Sequence, residues 1–173
     1  MEQLTKEQFI KEFKAQLHTD YLVDNSEATA EEHFRTLGKL IKQYVMSDWL
    51  RQRDEIIKEQ KKTAYYFSIE FLPGKMLQTN LLNLGIYDLV AEALADINVD
   101  LSVLVEAERD MALGNGGLGR LASCFMDSLP TIGAPGFGNG IRYKYGLFKQ
   151  RIVNGYQVEL PDAWLPSEGS VDR

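Results

Sequence analysis

The sequence predicts an α/β fold with a helical arm in front of it. Apolar residues recur at helical spacing from residue 3 to about residue 61, and the rest of the chain alternates short strand-like runs with helical runs. With 173 residues, the chain is long enough to bury a core. We therefore predict an N-terminal helical arm at residues 1–62 and an α/β part at residues 63–173.

The arm is predicted to contain two helices. Phe9, Phe13 and Leu17 are spaced four apart within a helical pattern at residues 3–17. Thr29 and Glu32 match a capping box, which predicts the start of a second helix that runs to about residue 61. Its apolar stripe is Phe34, Leu37, Leu40, Ile41, Tyr44 and Val45, continued by Trp49, Ile56 and Ile57.

The α/β part begins with an aromatic and β-branched run at residues 63–69, which predicts a buried strand. Asn154 and Gly155 form the strongest short-range hairpin signal in the chain. The remaining predictions are helices at 76–84, 88–97, 101–108 and 121–129, the last stopped by Pro130, and strands at 131–134, 141–153 and 156–160.

Composition excludes several classes of function. The formal net charge of −6 argues against a nucleic-acid-binding face, which needs clustered basic residues. No apolar run is long enough to span a bilayer, and the charged first residues lack the apolar core of a signal peptide. We therefore expect a cytoplasmic protein that binds neither nucleic acid nor membranes.

The cysteine and histidine content excludes familiar catalytic and metal sites. Cys124 is the only cysteine, so an internal disulfide is impossible, and its apolar neighbours predict a buried helical thiol. His18 and His33 both lie in the predicted arm. The sequence therefore shows no Cys–His or Ser–His–Asp pattern, and we predict no metal site.

The most informative segment is a glycine-rich turn at residues 114–119 that runs directly into a predicted helix. Glycines let backbone N–H groups approach a ligand closely, and the positive end of the helix dipole faces the same point. The segment therefore predicts an anion site. A turn that only allows close packing of the helix on a sheet is the alternative.

Two nucleotide-binding motifs fit this turn poorly. It satisfies G-x-G-x-x-G, but a charged run precedes it where a dinucleotide-binding fold needs a buried strand, and no carboxylate follows about twenty residues later. No Gly-Lys-Ser/Thr follows either, which excludes a P-loop. A dinucleotide-binding module is therefore the weakest hypothesis.

Three blocks strongly resemble the N-terminal part of the glycogen/maltodextrin phosphorylases. They are YYFSIEFLPG at 65–74, GNGGLGRLASCFMDS at 114–128 and GIRYKYGLFKQ at 140–150. Their order and spacing agree with that family, as do GYQVE at 155–159 and DAWL at 162–165. The resemblance implies a glycosyltransferase-B-like architecture, of which residues 63–173 form part of one doubly wound domain.

The resemblance also implies a chemistry. Members of the family use pyridoxal phosphate and orthophosphate to cleave α-1,4-glucan ends, releasing glucose 1-phosphate, and the cofactor's phosphate relays the proton. The positions implied to line the site of the phosphate pair are Asn115, Gly116, Gly117 and Leu118. Glu70 matches an acidic residue near the catalytic cleft.

The same resemblance implies that these residues supply only one wall of the active site. The cofactor lysine motif is absent from the sequence, and Lys75, Lys144 and Lys149 are interpreted as surface or ion-pairing residues. We therefore expect an N-terminal fragment that is inactive alone. Family members are implied to form homodimers, so a non-catalytic association module is the second hypothesis.

Overall fold

A computed structural model describes residues 4–165. Within these residues the chain forms a mixed α/β structure with small sheets. The helices are α1 (Lys6–Tyr21), α2 (Ala30–Lys58), α3 (Leu77–Asn83), α4 (Tyr87–Ala95), α5 (Leu101–Ala107) and α6 (Gly117–Thr131). The strands are β1 (Ala64–Phe67), β2 (Gly136–Asn139), β3 (Lys149–Val153) and β4 (Tyr156–Leu160). These elements divide between two compact units, one of Met1–Glu55 with Lys75–Arg109 and the other of Ile56–Gly74 with Asp110–Arg173.

The first unit is helical, and α1 and α2 both start with a side-chain cap. The Thr5 hydroxyl caps α1 by accepting a hydrogen bond from the Gln8 amide at 3.2 Å. At the start of α2, the Thr29 amide donates to the Glu32 carboxylate at 2.7 Å, and the Glu32 amide donates to the Thr29 hydroxyl at 3.3 Å. The predicted capping box is therefore confirmed.

The core of the first unit consists of apolar side chains from all five of its helices. Helices α1 and α4 pack against each other, and Phe9 and Phe13 are fully buried there. Leu37 and Leu40 on α2 belong to the same core. The other buried members are Ile41, Leu77, Leu81, Ile86, Val90, Ala93, Leu94, Ile97, Val99, Leu101 and Leu104.

The second unit contains both two-stranded sheets. Strands β1 and β2 are parallel, with Tyr65 opposite Phe137. Strands β3 and β4 form an antiparallel hairpin whose turn residues, Asn154 and Gly155, have φ angles of 52° and 81°. Positive φ at both positions is typical of a type I′ turn. The predicted hairpin is therefore confirmed, although its first strand begins at Lys149 and not at residue 141.

Helix α6 packs on β2 through glycines. A Cβ atom added at Gly136 would lie 2.4 Å from Leu129 Cδ1, and one at Gly138 would lie 3.2 Å from Met126 Sδ. Side chains at these two strand positions would hold the helix away from the strand. This packing explains why a glycine-rich segment forms the second strand of the parallel sheet.

Several sequence predictions for the second unit are wrong. The strand predicted at 131–134 is the end of α6 followed by a turn at Gly133, and α6 continues one residue past Pro130. The strand near residues 63–69 exists but is not buried, since Phe67 is 76% exposed. Helix α6 covers one face of this sheet, and the described residues place nothing over the face that carries Tyr65 and Phe67.

Two predictions of burial on helices also fail. Cys124 is exposed, because the face of α6 that is buried carries Gly119, Ala122 and Ser123. On α2 the buried stripe ends at Ile41, and Trp49 is 54% exposed. The helical periodicity continues along α2, but from residue 45 onward its residues are exposed except for Val45, Asp48 and Ile56, which are half-buried.

Candidate functional site

The glycine turn lies in the second unit and is held at its start by backbone hydrogen bonds. The amides and carbonyls of Phe71 and Leu113 exchange two bonds, of 2.8 and 3.0 Å. The preceding Ala112 carbonyl accepts a bond of 2.7 Å from the Leu147 amide. These contacts fix where the chain enters the turn.

Glu70 lies against both ends of this turn. A Cβ atom at Gly114 would be 2.6 Å from Glu70 Cβ, and one at Gly119 would be 3.0 Å from the same atom. Gly114 also has a φ of +147°, which side chains disfavour. The Asn115 Nδ2 atom donates to Glu70 Oε1 at 3.4 Å. Glycine is therefore favoured at 114, where Glu70 fills the space of a side chain, and at 119, where Leu72 Cγ at 2.9 Å and Glu70 together fill it.

The turn ends at the N-terminus of α6, which is open. Gly116 is the N-cap residue and provides no side-chain hydrogen bond, and the first turn of the helix carries no acidic residue. Among residues 4–165, no acceptor is found for the amides of Gly117 and Leu118. A Cβ atom at Gly116 or Gly117 would meet no atom within 4 Å. Helix N–H groups without an acceptor suit an anion.

Arg120 is a residue of this site that was not among the predicted site residues. Its Nη1 atom donates to the carbonyls of Leu72 and Pro73, at 3.4 Å in both cases. The Leu72 amide in turn donates to the Gly119 carbonyl at 3.0 Å. The segment after Glu70 is thus tied to the first turn of α6. The only sequence signal for including Arg120 in the site is its place directly after the glycine turn, where it adds a positive charge.

The structure brings the five predicted site residues together. Glu70 and Asn115 share a hydrogen bond, and Gly116, Gly117 and Leu118 follow at the start of α6. Gly117 and Leu118 are exposed to solvent, and Glu70 is half-buried. The roles of these residues toward a ligand stay predictions.

Three lysines are surface or ion-pairing residues, as predicted. Lys75 pairs with Glu106 at 3.0 Å, and Lys149 pairs with Asp162 at 3.1 Å. Lys144 lies over the ring of Tyr145, 5.3 Å from its centroid. Among residues 4–165, no group of three or more His, Cys, Asp or Glu side chains is arranged to hold a metal ion. No helix in the same range is long and apolar enough to cross a membrane.

The donors at the start of α6 fit a phosphate group. Its oxygens accept hydrogen bonds from backbone amides, and the helix dipole favours its negative charge. No atom lies within 4 Å of the position that a Cβ atom would take at Gly116 or Gly117. The site therefore suits the phosphate of a cofactor or a substrate, and Glu70 is placed to accept a hydrogen bond beside it.

Comparisons with known proteins give one consistent result. The family model described as carbohydrate phosphorylase matches residues 94–171, which include the whole glycine turn. The chain is 44% identical to glycogen phosphorylase of Bacillus subtilis over 161 residues, 93% of this chain and 20% of the relative.

Other relatives agree with these matches. Identity to glycogen phosphorylase of Chlamydia pneumoniae is 51% over 138 residues, 80% of this chain and 17% of the relative. Identity to the human brain form of glycogen phosphorylase is 42% over 155 residues, 90% of this chain and 18% of the relative. The chain thus spans at most a fifth of the length of these relatives.

Proposed function

Because this chain belongs to the carbohydrate phosphorylase family, we propose that it forms one wall of the active site of an α-1,4-glucan phosphorylase. The reaction is the transfer of a terminal glucosyl unit from the glucan to orthophosphate, which yields glucose 1-phosphate. The observation behind the proposal is the open N-terminus of α6, where the amides of Gly117 and Leu118 have no acceptor among residues 4–165.

The residues of this wall divide into donors and a carboxylate. The backbone amides at Asn115, Gly116, Gly117 and Leu118 bind the phosphate pair, made up of the cofactor phosphate and orthophosphate. Donors fixed by a helix are already oriented when negative charge develops, which is where electrostatic catalysis gains most. Glu70 orients hydrogen-bonding partners in the cleft, directly or through water.

The cofactor is pyridoxal phosphate, whose phosphate group supplies a site that gives and takes back a proton during glucosyl transfer. This chain's share in that chemistry is to bind and orient the phosphate. Since the chain covers 20% of the length of the Bacillus subtilis relative, we expect the 173 residues alone to release no glucose 1-phosphate. Residues 63–173 would then be part of a doubly wound domain in a glycosyltransferase-B-like protein.

A chimera tests this function. Residues 4–165 of this chain replace the matching segment of Bacillus subtilis glycogen phosphorylase, and glucose 1-phosphate release is measured with maltodextrin, orthophosphate and pyridoxal phosphate. We expect turnover by the chimera and none by the 173-residue chain alone. A folded, cofactor-loaded chimera without turnover would contradict the proposed function, and turnover by the chain alone would contradict the expected inactivity.

Association with another protein chain is the second candidate function. It is favoured by large apolar side chains that the described residues leave uncovered, because such surfaces commonly bind partners. The most exposed are Leu22, Ile57, Phe67, Ile132, Ile152 and Tyr156, each between 67% and 78% exposed. A homodimer or larger assembly in sedimentation experiments is the expected result, whereas a monomer that binds no apolar dye would argue against association.

A further inference from the structure

The segment from Ser68 to Leu72 is attached to its surroundings at almost every residue. The Ser68 amide donates to the Asn139 carbonyl at the end of β2, at 3.0 Å. Phe71 pairs with Leu113, and the Leu72 amide bonds to Gly119. Since these partners lie on different parts of the second unit, the segment is fixed at both of its ends.

Glu70 is held differently from its neighbours. Its amide donates to the Ser68 hydroxyl oxygen at 3.2 Å, and the same hydroxyl donates to the Glu70 carbonyl at 2.7 Å. One side chain therefore satisfies both backbone polar groups of Glu70. The Ser68 side chain is half-buried, so water is a poor replacement for either bond.

Close packing restricts Ser68 itself. A Cβ atom at Gly140 would lie 3.0 Å from the Ser68 carbonyl oxygen and 2.8 Å from Phe71 Cε2. The Tyr66 ring packs on Phe71 and on Phe125 of α6, with centroids 6.4 and 5.5 Å apart. Ser68 therefore has a defined position from which its hydroxyl sets the backbone of Glu70.

From this geometry we infer that Ser68 is a positioning residue for the Glu70 carboxylate. The hydroxyl fixes the backbone of Glu70 so that its side chain passes between Gly114 and Gly119 and reaches Asn115. Ser68 itself touches no ligand in this scheme. The effect of Ser68 on turnover rests on the proposed function. Its effect on the position of the Glu70 side chain does not.

The structural part is tested on the full chain by NMR, with the side-chain amide signals of Asn115 as the probe. Glu70→Ala defines the signal position when the carboxylate is absent. We expect Ser68→Ala to move the Asn115 signals toward that position and Ser68→Thr, which keeps the hydroxyl, to leave them near wild type. Ser128→Ala is the matched control, because the Ser128 hydroxyl bonds only within α6, to the Cys124 carbonyl at 2.8 Å.

Wild-type Asn115 signals in Ser68→Ala would overturn the inference. Ser68→Cys, which keeps the side-chain volume and weakens both hydrogen bonds, covers the case in which Ser68→Ala does not fold. It should shift the signals in the same direction, and wild-type signals in that variant would equally overturn the inference.

The catalytic part is read in the chimera. Ser68→Ala should lower kcat by about 10-fold, since a small misplacement of a positioned group reduces turnover strongly. The KM for orthophosphate should stay nearly constant, because the amide donors of α6 are untouched, and Ser68→Thr should restore kcat. A Ser68→Ala chimera with wild-type kcat would refute this part. An inactive parent chimera would instead count against the proposed function, and the NMR result would stand.

Discussion

The side chain of Glu70 occupies the space that a β-carbon at residue 114 would need. Gly114 combines this contact, 2.6 Å from a constructed Cβ to Glu70 Cβ, with a φ of +147°. The two residues are 44 positions apart in the sequence, and the Phe71–Leu113 pairing beside them holds their segments together. The carboxylate and the glycine turn thus form one packed structure.

Gly114→Ala should destabilise the second unit. The added methyl group meets the Glu70 side chain, and alanine disfavours a positive φ. We expect the free energy of unfolding to fall by about 2–4 kcal/mol, measured by urea denaturation of the full chain.

Gly117→Ala is the matched control for this experiment. A Cβ atom there meets nothing within 4 Å, and the residue is helical. Its free energy of unfolding should be unchanged or raised by about 0.5–1 kcal/mol. Equal stability losses in the two variants would show that the Glu70 contact does not restrict residue 114.

Thr29→Ala should weaken the start of α2. The hydrogen bonds from Thr29 hold the pKa of the Glu32 carboxyl below its usual value, with the backbone amide as the main cause. The free energy of unfolding should fall by about 1 kcal/mol at pH 7. Thr19→Ala, which removes a hydroxyl bonded only within α1, should have little effect.

The pH dependence follows from the direction of that pKa shift. A carboxyl whose pKa is lowered by folding stabilises the protein above its unfolded pKa, and this contribution disappears as the pH falls through the folded pKa. Thr29→Ala removes the 2.8 Å hydrogen bond from the Thr29 hydroxyl to the Glu32 carboxylate but keeps the bond from the Thr29 backbone amide. The stability difference between wild type and Thr29→Ala should therefore shrink in acid by the contribution of the hydroxyl alone. A difference that grows on acidification would contradict the capping assignment.

His33 should make the first unit sensitive to mild acid. Burial lowers the pKa of its imidazole, and a hydrogen bond to the Asn25 backbone opposes that shift only in part. The ring stacks on Phe13 with centroids 5.8 Å apart. Because the folded state favours neutral histidine, stability should be full above the usual pKa of about 6.5 and fall as the pH drops below it.

His33→Phe keeps the aromatic contact and removes the titrating group. Unfolding curves at pH 7.5 and 5.5 should show a smaller loss of stability for this variant than for wild type. His18→Gln, at an exposed position on α1, should retain the wild-type loss. If His33→Phe lost as much stability as wild type between pH 7.5 and pH 5.5, protonation of His33 would not be the cause of that loss.

Local signals in the sequence predicted much of this structure. The capping box at Thr29 and the Asn154–Gly155 hairpin were predicted correctly, because each depends on hydrogen bonds and φ angles within a few residues. Strand β2 was missed because Gly136 and Gly138 have low strand propensity. Glycine is needed at these two positions because α6 packs closely on the strand. A local sequence pattern does not predict such a contact between distant segments.

Burial and long-range contacts were the least predictable features. Phe67 and Cys124 have apolar neighbours in sequence, yet both are exposed, because exposure depends on which segments pack over them. The roles of the Ser68 hydroxyl and the Arg120 side chain depend on the path of residues 68–73 beside α6. The spacing of apolar residues in the sequence does not predict the path of residues 68–73.

Removal of one backbone donor from the start of α6 tests directly whether this helix N-terminus binds phosphate. Gly117 is the first residue of the helix, a position at which proline is well tolerated although it lacks an N–H group. In the Bacillus subtilis chimera, kcat/KM for orthophosphate is compared between Gly117→Pro and Gly117→Ala. If these amides bind the phosphates, the proline variant should be at least about 100-fold less efficient than the alanine variant. Equal efficiency in two folded variants would contradict the claim that the N-terminus of α6 holds phosphate.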